Sequence, residues 1–297
     1  MQRKILFLVI SFLILMCVSF FNALPAHAVI YVSDAGADSI TTWPNNTTGN
    51  IAPTTNIVGA ATTFNNPYAA AVDGSWIYVV NRLNNSVDVF PIGATGNVAP
   101  TRSIQGAATT FSNPFGAAVD GSWIYVVNRS NNSVDVFPIG ATGNVAPTRS
   151  IQGAATTFND PFGVAVDGSW IYVVNRSNNS VDVFPIGATG NVAPTRSIQG
   201  AATTFNSPAG IAVDGSWIYV VNTANSSVDV FPIGATGNVA PTRSIQGAAT
   251  TLIDPFGVTV YAQTLIIPTM TEWGMIIFMI LAGLGGIYYL RIKRIES

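Results

Sequence analysis

The sequence repeats the octapeptide GSWIYVVN, residues 121–128, four times without change. The copies begin at Gly74, Gly121, Gly168 and Gly215, so that each begins 47 residues after the one before it. A weaker copy, residues 30–34, precedes them at the same interval. A fixed period of this length indicates a repeat architecture, in which one supersecondary unit is stacked several times.

Each unit contains short runs rich in Val, Ile, Tyr and Phe, separated by clusters of Gly, Asn, Asp and Pro. In one copy these runs are residues 161–167, 170–175, 180–185 and 193–200. Such punctuation is typical of strands, and a unit this rich in Gly, Pro, Asn and Val does not fill two helices. The sequence therefore predicts an all-β protein.

The character of the runs predicts their place in the fold. Residues 170–174 are apolar on both alternations, as expected of a strand covered on both faces, while residues 163–166 are small, as where strands crowd around an axis. Residues 193–198 carry a Pro and an Arg, which are typical of an edge strand. An inner small strand, two buried strands and a polar outer edge make one blade of a β-propeller.

The phase of the repeats predicts five blades in a closed ring. The first copy starts at its second strand, residues 30–34, and an extra first strand is predicted at residues 256–261. Pairing between the two would close the ring and join the ends of the propeller, residues 29–261. The predicted repeats are residues 27–73, 74–120, 121–167, 168–214 and 215–261.

The N-terminal segment, residues 1–28, has the features of a secretory signal peptide. Arg3 and Lys4 supply the charge, residues 5–21 the apolar run, and residues 26–28 a small-residue cleavage pattern for signal peptidase. The alternative is an uncleaved N-terminal anchor, because the apolar run is long. Either way the repeats are predicted to lie outside the cytoplasm.

The C-terminal composition predicts a membrane anchor. A linker, residues 262–274, precedes an apolar stretch, residues 275–290, that is long enough for a transmembrane helix. The basic tail, residues 291–297, predicts a cytoplasmic C-terminus.

Charge and residue usage exclude several classes of function. Residues 29–266 contain seven Arg, no Lys and twelve Asp, a net charge of −5, so we expect no nucleic-acid partner. The only Cys and the only His are Cys17 and His27, both in the N-terminal segment. The repeats therefore lack disulfides and His- or Cys-based catalysis, and no catalytic residue, metal or cofactor is predicted.

Two sets of repeated polar residues were considered as binding sites. Asp73, Asp120, Asp167 and Asp214 precede Gly in hairpin turns, and the turn explanation is favoured over a ring that binds a cation. The loop after each second strand supplies amide and guanidinium donors for a polar ligand, the alternative being that its Asn and Asp satisfy turn backbone groups. The candidate ligand-binding residues are Asp34, Asn81, Arg82, Asn128, Arg129, Asn175, Arg176 and Asn222. Asp182 and Arg196 are predicted to pair across the blade.

Residues 161–167, 171–175 and 178–184 resemble the NHL repeat, with its Pro-x-Gly strand, Ile-Tyr-Val strand and polar loop. The resemblance implies a propeller. Related lactonase-type propellers hold a divalent metal with Glu, Asn and Asp, and the repeats contain no Glu.

The C-terminal segment resembles an IPTL-CTERM sorting signal. The resemblance is carried by Ile267, Pro268, Thr269, Glu272, Trp273 and Gly274, followed by one helix and a basic end. It implies processing by an exosortase-like membrane enzyme and delivery to the bacterial cell surface. The alternative is a plain permanent anchor.

The predicted function is an exported cell-surface binding or structural module and not an enzyme. Near-identical blades repeat the same groups, whereas catalytic sites need unlike groups at one spot. Five similar loops would instead give weak sites that gain by avidity, with a glycan as the expected ligand. The alternatives are a protein-adhesion scaffold and, less favoured, a lactonase-like metal-dependent hydrolase.

Overall fold

The structure, a computed structural model, describes residues 29–44 and 47–258, and five single helical positions further on, Met279, Ala282, Gly283, Gly286 and Arg294. The propeller belongs to the first of two compact units, residues 1–260; the second unit is residues 261–297.

The described residues form five antiparallel sheets with strands in sequence order, which confirms the all-β five-bladed propeller. Blade 1 has three strands, β1 (Val29–Asp34), β2 (Ser39–Pro44) and β3 (Thr55–Val58). Blade 2 has β4 (Pro67–Val72), β5 (Trp76–Asn81), β6 (Ser86–Pro91) and β7 (Arg102–Gln105). Blade 3 has β8 (Pro114–Val119), β9 (Trp123–Asn128), β10 (Ser133–Pro138) and β11 (Arg149–Gln152).

The last two blades repeat this plan. Blade 4 has β12 (Pro161–Val166), β13 (Trp170–Asn175), β14 (Ser180–Pro185) and β15 (Arg196–Gln199). Blade 5 has β16 (Pro208–Val213), β17 (Trp217–Asn222), β18 (Ser227–Pro232) and β19 (Arg243–Ile245). A short 3-10 turn follows each outer strand, at Ala60–Thr62, Ala107–Thr109, Ala154–Thr156, Ala201–Thr203 and Ala248–Thr250.

The core lies between blades. The two middle strands alternate their apolar side chains, so that each blade packs one set against the blade before it and the other against the blade after it. At the junction of blades 1 and 2, Ile40 and Ile57 meet Ile77, Val79 and Phe90, and all five side chains are buried. Inner strands approach so closely that a Cβ added at Gly116 would lie 2.6 Å from the Phe162 carbonyl oxygen.

A buried polar network is repeated inside blades 2 to 5. In blade 3, Asp135 is 1% exposed and accepts hydrogen bonds from the Asn128 amide (2.7 Å), the Ser150 hydroxyl (2.5 Å) and the Thr110 hydroxyl (2.8 Å). Burial raises the pKa of Asp135, and these hydrogen bonds act in the opposite direction. The network thus satisfies a carboxylate in the middle of a sheet.

The predicted pair between Asp182 and Arg196 is wrong. Asp182 occupies the network position in blade 4 and bonds to Ser197, Thr157 and Asn175. The register of β14 and β15 places Asp182 opposite Ser197 and Arg196 opposite Val183, so the Asp182 and Arg196 side chains lie on opposite faces of the sheet.

The Asp residues of the hairpin turns are turn residues, as predicted. Asp120 Oδ1 accepts the backbone amides of Ser122 (2.9 Å) and Trp123 (2.8 Å), and its Oδ2 accepts the Tyr125 hydroxyl at 2.7 Å. Both carboxylate oxygens are therefore used within the hairpin.

Adjacent blades are joined by a repeated contact that we call the blade lock. Its first part is a parallel bridge between the outer strand of one blade and a Gly of the next, as Ile57 with Gly96. Its second part is an Asn side chain that caps the following 3-10 turn, as Asn97 Oδ1 with the Ala61 amide at 2.7 Å. The lock covers the outer edge strand that would otherwise be open to pairing.

The predicted closing strand, residues 256–261, is described only in part. Residues 256–258 adopt no strand conformation, residues 259–261 lie outside the described residues, and β1 has only β2 as a described neighbour in its sheet. Residues 256–257 lie against Gly210 of blade 5, at the position of the fifth inner strand that the sequence predicts.

The predicted signal peptide, sorting motif and transmembrane helix lie largely outside the described residues. Residues 1–28 and 262–274 are not described, and of residues 275–290 only four single positions are. Among the described positions, no helix has the length and apolar character that a membrane crossing requires.

Candidate functional site

Aromatic side chains gather on the propeller axis. They come from the second residue of successive inner strands, Tyr68, Phe115 and Phe162, and from Phe256. Ring centroids are 4.5 Å apart for Tyr68 and Phe115, 4.4 Å for Phe115 and Phe162, and 6.1 Å for Tyr68 and Phe256. In blade 5 the same position is Ala209. A cavity of about 620 Å³ is lined by these residues and the adjoining inner strands.

Three guanidinium groups stack on this aromatic group. Arg82 Cζ lies 4.8 Å from the centroid of the Phe115 ring, and Arg129 Cζ lies 5.1 Å from the same centroid. Arg176 lies 5.2 Å from Phe162 and 5.9 Å from Phe256. Cation–π contacts hold the guanidinium planes against the rings and leave their N–H edges free to bind other groups.

The partners of the three arginines differ from blade to blade. Arg82 Nε donates to Asn113 at 2.7 Å, and Arg129 forms an ion pair with Asp160, whose second bond, from Nη2, is 3.1 Å. At the next position the chain has Ser207, and the Arg176 guanidinium has no hydrogen-bond partner among the described residues. We call this set, with the four aromatic rings, the axial mouth.

Asp160 makes hydrogen bonds with two of the three arginine residues. Its carboxylate binds Arg129, and its backbone carbonyl accepts the Arg176 amide at 3.1 Å. The Tyr68 hydroxyl lies near the same positive charges. Burial raises the pKa of this hydroxyl, and the nearby Arg176, Arg82 and Arg129 act to lower the pKa. The axial mouth is therefore cationic, apart from the carboxylate of Asp160.

The structure divides the predicted ligand-binding residues into three groups. Arg82, Arg129 and Arg176 lie at the axial mouth, as just described. The four predicted asparagines are 0% exposed and belong to the buried network. They are Asn81, Asn128, Asn175 and Asn222. They are removed from the candidate site because the blade already satisfies their amides, as when Asn81 Nδ2 donates to Asp88 at 2.7 Å.

Asp34 also has a local role. Its Oδ1 accepts the backbone amides of Gly36 (2.9 Å) and Ala37 (3.0 Å), which stabilises the turn after β1.

A second set of arginines lies at the outer strands and is structural. Arg149 lies 5.0 Å from the Trp123 centroid, and its Nη1 donates to the Ile186 carbonyl of the next blade at 2.6 Å. Arg102 and Arg196 make the same contacts one blade earlier and one blade later.

Sequence analysis missed the aromatic residues and the partners of the arginines. The signal was present, since Tyr68, Phe115 and Phe162 each follow the Pro that opens an inner strand, and Phe256 follows Pro255 at the equivalent position of the repeat. Asp160 was detectable as a departure from the repeat, because the equivalent residue of blade 3 is Asn113.

The described residues do not fit the metal site that the lactonase-type resemblance implies. No group of three or more His, Cys, Asp or Glu side chains comes together in the described part of the chain.

Comparison with known proteins identifies the family. The family model described as Lactonase, 7-bladed beta-propeller matches residues 18–199 and 163–254. The chain belongs to this lactonase family. Overlapping matches are expected of near-identical repeats, and the described part of this member has five blades.

Solved structures support the propeller fold. A chain of a nidogen–laminin complex aligns with a TM-score of 0.59 and 14% identity, covering 79% of this chain and 81% of that one. A candidate 6-phosphogluconolactonase from Bacteroides uniformis aligns with a TM-score of 0.52 and 17% identity, covering 73% and 67%. A second one, from Bacteroides fragilis, has a TM-score of 0.52 and 18% identity, covering 76% and 69%. No curated protein matches the sequence.

These findings overturn one prediction. The protein was expected not to be an enzyme, whereas the match to the lactonase family model points to a hydrolase. That prediction assumed the same groups in every blade, whereas equivalent positions carry Asn113, Asp160 and Ser207.

Proposed function

We propose that the protein hydrolyses a sugar lactone that carries a negative charge, and that the reaction takes place at the axial mouth. Membership of the lactonase family supports the reaction class. The observation that carries the substrate class is the Arg176 guanidinium, stacked on Phe162 and Phe256 with no hydrogen-bond partner among the described residues. An anionic group would supply an acceptor that the described residues do not offer to this arginine.

The axial mouth contains unlike groups that suit lactone opening. The aromatic rings offer an apolar platform for the C–H face of a sugar ring. The Asp160 carboxylate, held by Arg129, is the proposed general base.

The reaction balances with these groups alone. Water oxygen bonds to the lactone carbonyl carbon, and its proton passes to Asp160. A guanidinium N–H stabilises the oxyanion that develops. The ring C–O bond then breaks, the ring oxygen accepts this proton from Asp160, and a hydroxy acid is released.

The test compares 6-phosphogluconolactone with uncharged gluconolactone as substrates of the full-length protein. We expect kcat/KM to be about tenfold or more higher for the phosphorylated lactone, the scale of one hydrogen bond to a charged group. Spontaneous hydrolysis is subtracted with a matched sample without enzyme. Failure to hydrolyse either lactone overturns the proposal, and equal rates overturn its anionic part only.

The proposed setting of this activity is outside the cytoplasm. The signal-like residues 1–28 and the sorting-type residues 267–274 support export and surface delivery. Cell fractionation tests this: lactonase activity confined to the cytoplasmic fraction contradicts it.

A further inference from the structure

The junction between blades 5 and 1 differs from the other four. The parallel bridge of the blade lock joins Ile57 to Gly96, Ile104 to Gly143, Ile151 to Gly190, and Ile198 to Gly237. The equivalent residue of blade 5, Ile245, has no such bridge among the described residues and is 52% exposed, whereas the other four are 0% exposed. Around Gly247, no atom lies within 4 Å of a Cβ added there, while at Gly59 the Asn97 side chain fills that space.

Blade 1 carries the missing half of this lock. Gly49 and Asn50 stand 47 residues before Gly96 and Asn97, which supply the bridge and the cap at the junction of blades 1 and 2. Both Gly49 and Asn50 are exposed. The sequence thus contains five complete locks, of which the described residues form four.

The apolar faces at this junction are also complementary and exposed. Val32 of blade 1 is 41% exposed, whereas its equivalent Val79 is 0% exposed and packs against the preceding blade. On the other side, Tyr219 of blade 5 is only half-buried, whereas the equivalent Tyr125 is 0% exposed. Contact between the two faces would bury both sets, as it does at every other junction.

We propose that Gly49 and Asn50 of blade 1 bind β19 of blade 5 in the same chain, making the fifth blade lock. Gly49 would bridge to Ile245, and the Asn50 side chain would accept the Ala249 amide. The two sides are already tethered at the axis, because Phe256 reaches both Gly210 of blade 5 and Tyr68 of blade 2. This tether makes the intramolecular partner more concentrated than any second copy.

The lock would also act on the axial mouth. Only a few residues separate Ala249 from Asp254 and Phe256, so that capping the 3-10 turn fixes the start of the segment that delivers the Phe256 ring. Closure of the ring and completion of the aromatic platform are therefore coupled. The structural claim does not depend on the reaction catalysed.

Disulfide capture tests the proposal in the full chain with Cys17→Ser. The test pair is Asn50→Cys with Ala249→Cys, and the matched control is Asn97→Cys with Ala61→Cys, which are in contact at 2.7 Å in the native pair. We expect both pairs to form a disulfide within the monomer under mild oxidation. A control that cross-links while the test pair stays reduced overturns the proposal, and disulfide-linked multimers show that a second copy occupies the site instead.

Hydrogen exchange of the unmodified protein tests the same proposal without a substitution that could prevent folding. Residues 243–249 repeat residues 196–202 without change, and longer peptides are distinguished by Leu252 and Phe205. With the lock formed, we expect exchange protection of the two segments to agree within about tenfold. Rapid exchange confined to residues 243–249 contradicts the fifth lock.

Discussion

The interior of the blades and the axial mouth are built from the same repeat but are under different constraints. Inside each blade from 2 to 5 the same Asp, Asn, Ser and Thr meet with nearly the same distances, as Asp88 and Asp135 show. At the axis, equivalent positions carry Asn113, Asp160 and Ser207. Uniform positions support the fold, and the positions that vary create a site with unlike groups.

The largest expected effect is on stability, from Asp135→Ala inside blade 3. The change removes the acceptor of the Ser150 hydroxyl, and it removes one of two acceptors from the Thr110 hydroxyl and from the Asn128 amide. Each buried group left unsatisfied costs about 1–3 kcal/mol. We expect the free energy of unfolding to fall by about 3–5 kcal/mol, measured by denaturant titration. A loss below about 1 kcal/mol, typical of surface sites, would show that the network is dispensable.

Asp160→Asn tests the other region with the same residue type. Blade 3 already has Asn at this position, so the fold accepts the change and stability should shift by no more than about 1 kcal/mol. We expect kcat/KM for the phosphorylated lactone to fall by about 10²-fold or more, because a general base is lost. Asp167→Asn, in a hairpin turn, serves as the control and should retain activity in the folded fraction; unchanged activity of the Asp160 variant would remove this residue from the mechanism.

Arg176→Thr separates the two sets of arginines. Thr223 is the equivalent residue of blade 5, so the substitution is native to the repeat. We expect about a 10–100-fold loss of kcat/KM for the charged lactone, the scale of a hydrogen bond to a charged group, and a smaller loss for the neutral one.

The control for this comparison is Arg149→Ala at an outer strand. Its loss of stacking on Trp123 should lower the free energy of unfolding by about 1 kcal/mol and leave the substrate preference unchanged. If both arginine variants lose the preference, Arg176 acts through the fold and not through the substrate.

The smallest effect is at alkaline pH. The hydrogen bond and charge of Asp120, together with burial as the largest cause, raise the pKa of Tyr125 to about 12 from 10.0. A raised pKa in the folded state stabilises the protein below about pH 10, and this contribution is lost as the pH rises through about 12. Phenolate absorbance and unfolding at increasing pH measure it, and Asp120→Asn should bring the titration of Tyr125 closer to 10.0.

Much of the blade could be predicted from sequence. Apolar residues on both alternations of residues 170–174 predicted a covered strand, and the Asp–Gly pairs predicted the hairpin turns, because these signals are local. The pair of Asp182 with Arg196 was predicted wrongly, because the register of β14 and β15, which places the two side chains on opposite faces of the sheet, is set by strand pairing and not by the local pattern.

Asn175 and Arg176 show what the sequence pattern could not predict about the candidate site. They are adjacent in one loop motif and were predicted to serve one ligand, yet Asn175 is 0% exposed inside the blade and Arg176 stacks over Phe162 at the axis. Side chains of successive residues at a strand end point in different directions, and only the assembled ring shows which direction meets the axis.

From the sequence alone follow the period, the strands and their order within a blade, because each is encoded by patterns within 47 residues. The number of blades follows as well, because the copies can be counted. The tertiary structure alone decided that three arginines and four aromatic rings from separate blades share one axial mouth, and that Asp160 stands among them. Those residues are dozens of positions apart in the chain, and no periodic pattern records which of them converge. Their differences from blade to blade acquire chemical meaning only when the ring brings them together.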